Sequence, residues 1–140
     1  MAYDRNNIFA KILRGEIPSC KVYEDEHVLA FMDVMPQADG HTLIIPKYEA
    51  EYIFDLPVDQ LQNVMAVTKR IADAAKRAFN ADGIMLMQLN GQAAGQTVFH
   101  VHFHIVPRYQ DTPMTLHGRT MADKAVLEKH AEQLRHALNA

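Results

Sequence analysis

Cysteine is almost absent from this chain of 140 residues: Cys20 stands alone, which excludes an internal disulfide and a four-thiolate zinc site. A reducing cytoplasm is the compartment expected for such a sequence. Long apolar runs are missing too. Nothing approaches the roughly 20 residues that cross a bilayer, and Met1 to Asn7 is polar, so neither export nor membrane anchoring is expected. Charge of one sign is equally scarce, with 14 Lys and Arg against 17 Asp and Glu for a net charge of -3, and no basic cluster suits a polynucleotide. Repeats, low-complexity tracts and Pro/Gly/Ser linkers are lacking, which leaves one continuous domain over residues 1–140. What the chain does have is 49% hydrophobic residues, enough to bury a core at this length.

Ile8 to Arg14 reads as a short helix, with Asn6 or Asn7 able to cap its start and Gly15 placed to end it. Segments around Lys21 to Tyr23 and Val28 to Asp33 have strand patterning. Asp39-Gly40 signals a turn, and Thr42 to Ile45 is a β-branched run closed by Pro46. Between Asp55 and Asn80 the period becomes helical, through Leu61, Val64, Met65, Thr68, Ile71, Ala75, Ala78 and Phe79, with Asp55 available as a cap. A strand from Ile84 to Leu89 follows, and a last helix over about 120–138 carries Leu127, Ala131, Leu134 and Leu138 on one stripe. Runs of strands with helices on one side imply an α+β fold, with a mostly antiparallel sheet of about five strands, one long helix and one C-terminal helix.

The chemistry lies in His100, His102 and His104, which alternate with Val101, Phe103 and Ile105. In an extended strand this spacing sets three imidazoles on one side and apolar groups on the other. Three readings fit such a row: a solvated polar face, a metal site, or catalysis by groups that titrate near neutrality. Same-face neighbours on a strand lie about 6.6 Å apart, whereas zinc–nitrogen bonds are about 2 Å, so three histidines on one straight strand cannot share an ion. Two could do so if His41, which precedes another strand, supplied a further ligand. A phosphoryl group presents several oxygens spread over a few ångströms and suits separated imidazoles better. The preceding loop, Asn90-Gly91-Gln92-Ala93-Ala94-Gly95-Gln96-Thr97, is small and polar. It reads either as a surface connection or as a backbone cradle for phosphate.

His100-Val101-His102-Phe103-His104-Ile105-Val106 resembles the signature of the histidine triad (HIT) superfamily. The resemblance continues through Gly15-Glu16-Ile17-Pro18-Ser19, Ala30-Phe31-Met32-Asp33, Gly40-His41-Thr42-Leu43-Ile44-Ile45-Pro46-Lys47 and Ala94-Gly95-Gln96-Thr97-Val98, and is strongest toward small bacterial members of the phosphoramidase-like branch. It implies a HIT-like fold and a nucleotide-binding hydrolase or transferase acting at the α-phosphate of nucleoside phosphoramidates or acyl-nucleotides. Dinucleoside polyphosphate hydrolysis and non-catalytic nucleotide sensing are the alternatives. It further implies that His102 is the nucleophile, that His100 and His104 orient the site and bind phosphate oxygens, that His104 is a proton donor, and that His41 is a fourth site histidine. Asp33 would hold ribose hydroxyls, with Phe31, Val34 and Leu43 forming a slot for the base and Asn90, Gly95, Gln96 and Thr97 the phosphate and leaving-group loop. A purine nucleotide as ligand, a homodimer, and no cofactor complete the expectation.

One departure from the family pattern stands out. Some bacterial relatives hold structural zinc through a Cys-x-x-Cys pair and a His, but Asn7, Ala10 and Glu49 occupy those positions here. No metal is therefore expected, and the N-terminal segment should be held by the packing of Ile8, Phe9, Ile12 and Leu13. Arg108, His117 and Arg119, in or beside the segment after the triad, read either as groups that tune the choice of leaving group or, the commoner case, as solvated surface charges.

Overall fold

A computed structural model describes residues 3–113, 118 and 120–139. His117 and Arg119 lie outside the described residues. In chain order the elements are α1 (Ile8–Leu13), β1 (Lys21–Glu24), β2 (Val28–Met32), β3 (Thr42–Pro46), α2 (Val58–Ala78), β4 (Gly83–Met87), β5 (Phe103–Arg108) and α3 (Lys124–Leu138). The five strands form one sheet in the order β1-β2-β3-β5-β4, and every pairing is antiparallel. This is the expected α+β architecture.

The central strands read as apolar runs because both of their faces are covered. Val28, Ala30 and Met32 of β2, Ile44 of β3, and Phe103 and Ile105 of β5 pack with Val64, Val67, Ile71 and Ala75 of α2 and with Leu127, Ala131 and Leu134 of α3. The alternate residues Leu29, Phe31, Leu43 and Ile45 turn the other way and meet Phe9 and Ile12 of α1. The helices thus lie on both faces and not on one, with α1 opposite the two long helices. Met65, placed on the packed stripe by its spacing, is 37% exposed.

Local chemistry explains most element ends. Asn7 accepts the Ala10 N–H to cap α1, and the positive φ of Gly15 follows the last turn. α2 starts behind Pro57 with no side-chain cap, because Asp55 belongs to a preceding 3-10 turn where its carboxylate accepts the Tyr52 N–H. α3 begins at Lys124 and not near residue 120, since Asp123 caps it and the Ala122 N–H is engaged by the Val34 carbonyl. β4 ends at Met87, opposite His104, which leaves Gln88 and Leu89 outside the ladder.

The N-terminal segment is not held by packing alone. Phe9 and Ile12 are buried, but Ile8 is 52% exposed, and the segment is tied down by an Arg5–Glu49 ion pair at 3.0 Å and by Arg14 donating to the Arg5 carbonyl.

Gly40 closes the turn that delivers His41 to β3. Its φ of +86° is a left-handed value, and a Cβ built there would lie 2.5 Å from the Phe79 ring. Replacing Gly40 by Ala should lower stability by about 1–3 kcal/mol, through strain and overpacking together, read as a reduced midpoint in urea unfolding.

Candidate active site

Three imidazoles do sit in a row, but the strand does not carry all of them. β5 begins at Phe103, so only His104 belongs to the ladder, where it faces Leu43 on one side and Met87 on the other. His100 ends a bend, and His102 lies in the irregular stretch between that bend and the strand. The ladder stops there for a local reason: the His100 carbonyl accepts the His102 ring Nδ1–H at 2.7 Å, and the Val101 N–H goes to the Ala50 carbonyl. Alternation still holds, with Val101 buried beside Ala50 and Leu56 while the histidines turn toward α1.

His41, His100, His102 and His104 are 1%, 0%, 6% and 7% exposed. Buried ring nitrogens need partners, and the nature of each partner fixes the tautomer. The Pro46 carbonyl can only accept, so the proton of His100 is on Nε2, at 2.8 Å from that oxygen, and Nδ1 accepts from the Tyr3 hydroxyl. His102 carries its proton on Nδ1 by the same logic, which leaves the lone pair on Nε2. The Gln37 N–H donates to His41 Nδ1 at 3.0 Å, so His41 holds its proton on Nε2, 3.0 Å from His104 Nδ1 and 3.4 Å from Asp33 Oδ2. His104 therefore accepts at Nδ1 and, when neutral, bears its proton on Nε2.

Burial depresses the basicity of His100 to a pKa of about 4, the bond to Pro46 opposing that shift only in part, and it lowers His102 in the same direction. Both rings are thus neutral at pH 7. The Phe9 and His102 rings meet in a T-shape with centroids 4.9 Å apart, and the His104 ring also stands 4.9 Å from His102.

These rings border a cavity of about 680 Å³ with a mainly apolar lining. Of the residues expected at the site, Phe31, Asp33, Val34, His41, Leu43, Gly95, Thr97, His102 and His104 line it. His100, Asn90 and Gln96 do not. His100 stands behind the row, with both nitrogens engaged. Asn90 accepts from the Ile53 N–H and exchanges hydrogen bonds with Gln88. Gln96, 2% exposed, braces the loop by accepting from the Gly91 N–H and donating to the Glu51 and Val98 carbonyls. Ile17, Ser19, Met35, Gly118 and Met121 also line the cavity and were not legible as site residues, because they come from connections without periodicity. Gln37 was equally hidden, since its role is played by a main-chain N–H.

Residues 14–111 match the model of the HIT domain. The chain belongs to the HIT family. A Hit-like protein from Bartonella henselae of known crystal structure is 48% identical, with a TM-score of 0.93, covering 98% of this chain and 99% of that one. Protein hit of Bacillus subtilis is 46% identical over 104 residues, 74% of this chain and 72% of the relative. The adenosine 5'-monophosphoramidase HNT1 of Saccharomyces cerevisiae is 45% identical over 101 residues, 72% of this chain and 61% of the relative.

Donor atoms of Asp33, His41 and His104 lie within 4.8 Å of one another, as a metal site requires. The hydrogen bonding argues against that use. A neutral His41 binding an ion through Nε2 would carry its proton on Nδ1, directed at the Gln37 N–H, whereas metal-bound imidazoles direct that proton at an acceptor. The family's zinc positions are likewise engaged otherwise, Asn7 as a helix cap and Glu49 with Arg5.

The neutral burial of His100 links stability to pH. Its folded-state pKa of about 4 lies below the 6.5 of a free imidazole, so the unfolded chain binds the extra proton between these values and stability falls as pH drops through that window. Urea unfolding should show a loss on the order of 3 kcal/mol between pH 7 and pH 4 from this group, with His102 adding to it.

Proposed function

We propose that this protein is a nucleotide-binding hydrolase or transferase that cleaves nucleoside phosphoramidates, or related acyl-nucleotides, at the α-phosphate through a nucleotidyl-histidine on His102. The observation that carries this reading is the His102 Nδ1–H bond to the His100 carbonyl, which presents a neutral Nε2 lone pair at the wall of an apolar cavity. The activity in the name of the yeast relative supports it.

In the first step Nε2 of His102 attacks phosphorus and the bond to the leaving nitrogen breaks. The positive charge that develops on His102 is stabilised through its Nδ1–H by the His100 carbonyl. His104, entering the step as its imidazolium, gives a proton to the departing amine and is left neutral. Water then cleaves the phosphorus–nitrogen bond to His102, and the proton that this water loses restores His104. Asp33 supplies carboxylate oxygens as acceptors for ribose hydroxyls, and Phe31, Val34 and Leu43 line an apolar slot for a purine. Thr97 and the backbone at Gly95 border the phosphate end. His100 acts from behind, by supplying the carbonyl.

A homodimer in the cytoplasm is part of the same proposal. β4 is an edge strand, Leu86 on it is 48% exposed, and Met65 and Val58 of α2 are exposed as well. Among the described residues no helix is long and apolar enough to cross a membrane.

His102→Asn should lower kcat on an adenosine phosphoramidate by at least about a thousandfold while leaving nucleotide binding intact, and mass spectrometry of the quenched wild-type reaction should find the nucleotidyl group on His102. Tight AMP binding with turnover unchanged by the substitution would identify a sensor instead. Leu86→Glu should halve the mass measured by light scattering if the β4 edge is the dimer contact.

A further inference from the structure

The stretch ahead of α1 precedes the family match, which starts at residue 14, yet it reaches the histidine row. The Tyr3 hydroxyl bonds Nδ1 of His100, 97 positions along the chain, and the Tyr3 ring meets the His100 ring edge-on with centroids 5.6 Å apart. Its placement is built and not incidental. Arg5 pairs with Glu49, and Arg14 holds the Arg5 carbonyl.

The consequence runs through His100 to His102. The Pro46 carbonyl demands a proton on Nε2 of His100, so Nδ1 of the neutral ring is an acceptor, and Tyr3 supplies the donor. For the neutral ring, only one orientation and one tautomer satisfy both neighbours. The carbonyl of that same residue then holds the His102 Nδ1–H.

We propose that Tyr3 is a positioning residue: by occupying His100 Nδ1 it fixes the residue whose carbonyl keeps His102 in the tautomer that presents Nε2. This rests on the reading of His102 as nucleophile, and it makes competence for the reaction depend on a segment ahead of the residues that match the family model. The ring of Tyr3 packs, while its hydroxyl selects.

Tyr3→Phe separates the two, because it keeps the ring and removes only the O–H. The measurements are steady-state kinetics on an adenosine phosphoramidate and nitrogen-15 spectra of the imidazoles. The expected result is a fall in kcat of about tenfold, the size typical for loss of a partner one shell behind a reacting group, with KM unchanged within about twofold. In the spectra the His100 Nδ1 signal should move and His102 should populate both tautomers. A His102 spectrum identical to wild type overturns the proposal whatever the rate, and so does an unchanged kcat. A loss seen in Tyr3→Ala but not in Tyr3→Phe assigns the contact to packing and overturns it too. If the wild type turns over no phosphoramidate, the functional reading falls, and the His102 spectrum alone then decides for or against Tyr3.

Discussion

Four imidazoles buried together at the end of two neighbouring strands are tolerable only if their ring nitrogens meet partners of the correct sense, and the rest of the site follows from that constraint. Pro46 and His100 offer carbonyls, Gln37 offers an N–H, and Tyr3 offers a hydroxyl. Acceptors and donors at these points leave no choice of tautomer. The lone pair on Nε2 of His102 and the proton on His104 are therefore properties of the surrounding main chain as much as of the histidines themselves.

The same main chain can serve because the sheet is covered on its other face. Phe103 and Ile105 anchor β5 in the core against α2 and α3, which holds His104 in register between Leu43 and Met87. Upstream of Phe103, ladder bonds give way to bonds that serve the site: the His100 carbonyl turns to a ring and not to a neighbouring strand. The loop ahead of it is stiffened from within by Gln96, whose amide ties Gly91, Glu51 and Val98 together. Rigid support behind a reacting group keeps the cost of orienting it out of the reaction step.

Much of this was legible in the residues. The alternation from His100 to Ile105 announced one polar and one apolar face, Asp39-Gly40 marked the turn before His41, and the stripe from Leu61 to Ala75 marked the long helix. The strand boundary at Phe103 was not legible, because it depends on which carbonyls find strand partners. The capping role given to Asp55 failed for a similar reason, since a 3-10 turn claimed the residue first. α1 was recognisable as a helix, but its face of the sheet was not, as a six-residue element carries too short a pattern to say which layer it joins.

By itself, the order of amino acids determined the secondary elements, the apolar core and the family signature, because these rest on local periodicity and on residue types that chemistry constrains. Tertiary structure alone decided which nitrogen of each histidine holds the proton, that Asn90 and Gln96 brace the loop while Ile17, Met35 and Met121 wall the cavity, and that Tyr3 reaches His100. Hydrogen-bond sense and cavity shape are set by groups far apart along the chain, and their meeting is a product of packing that no local pattern encodes.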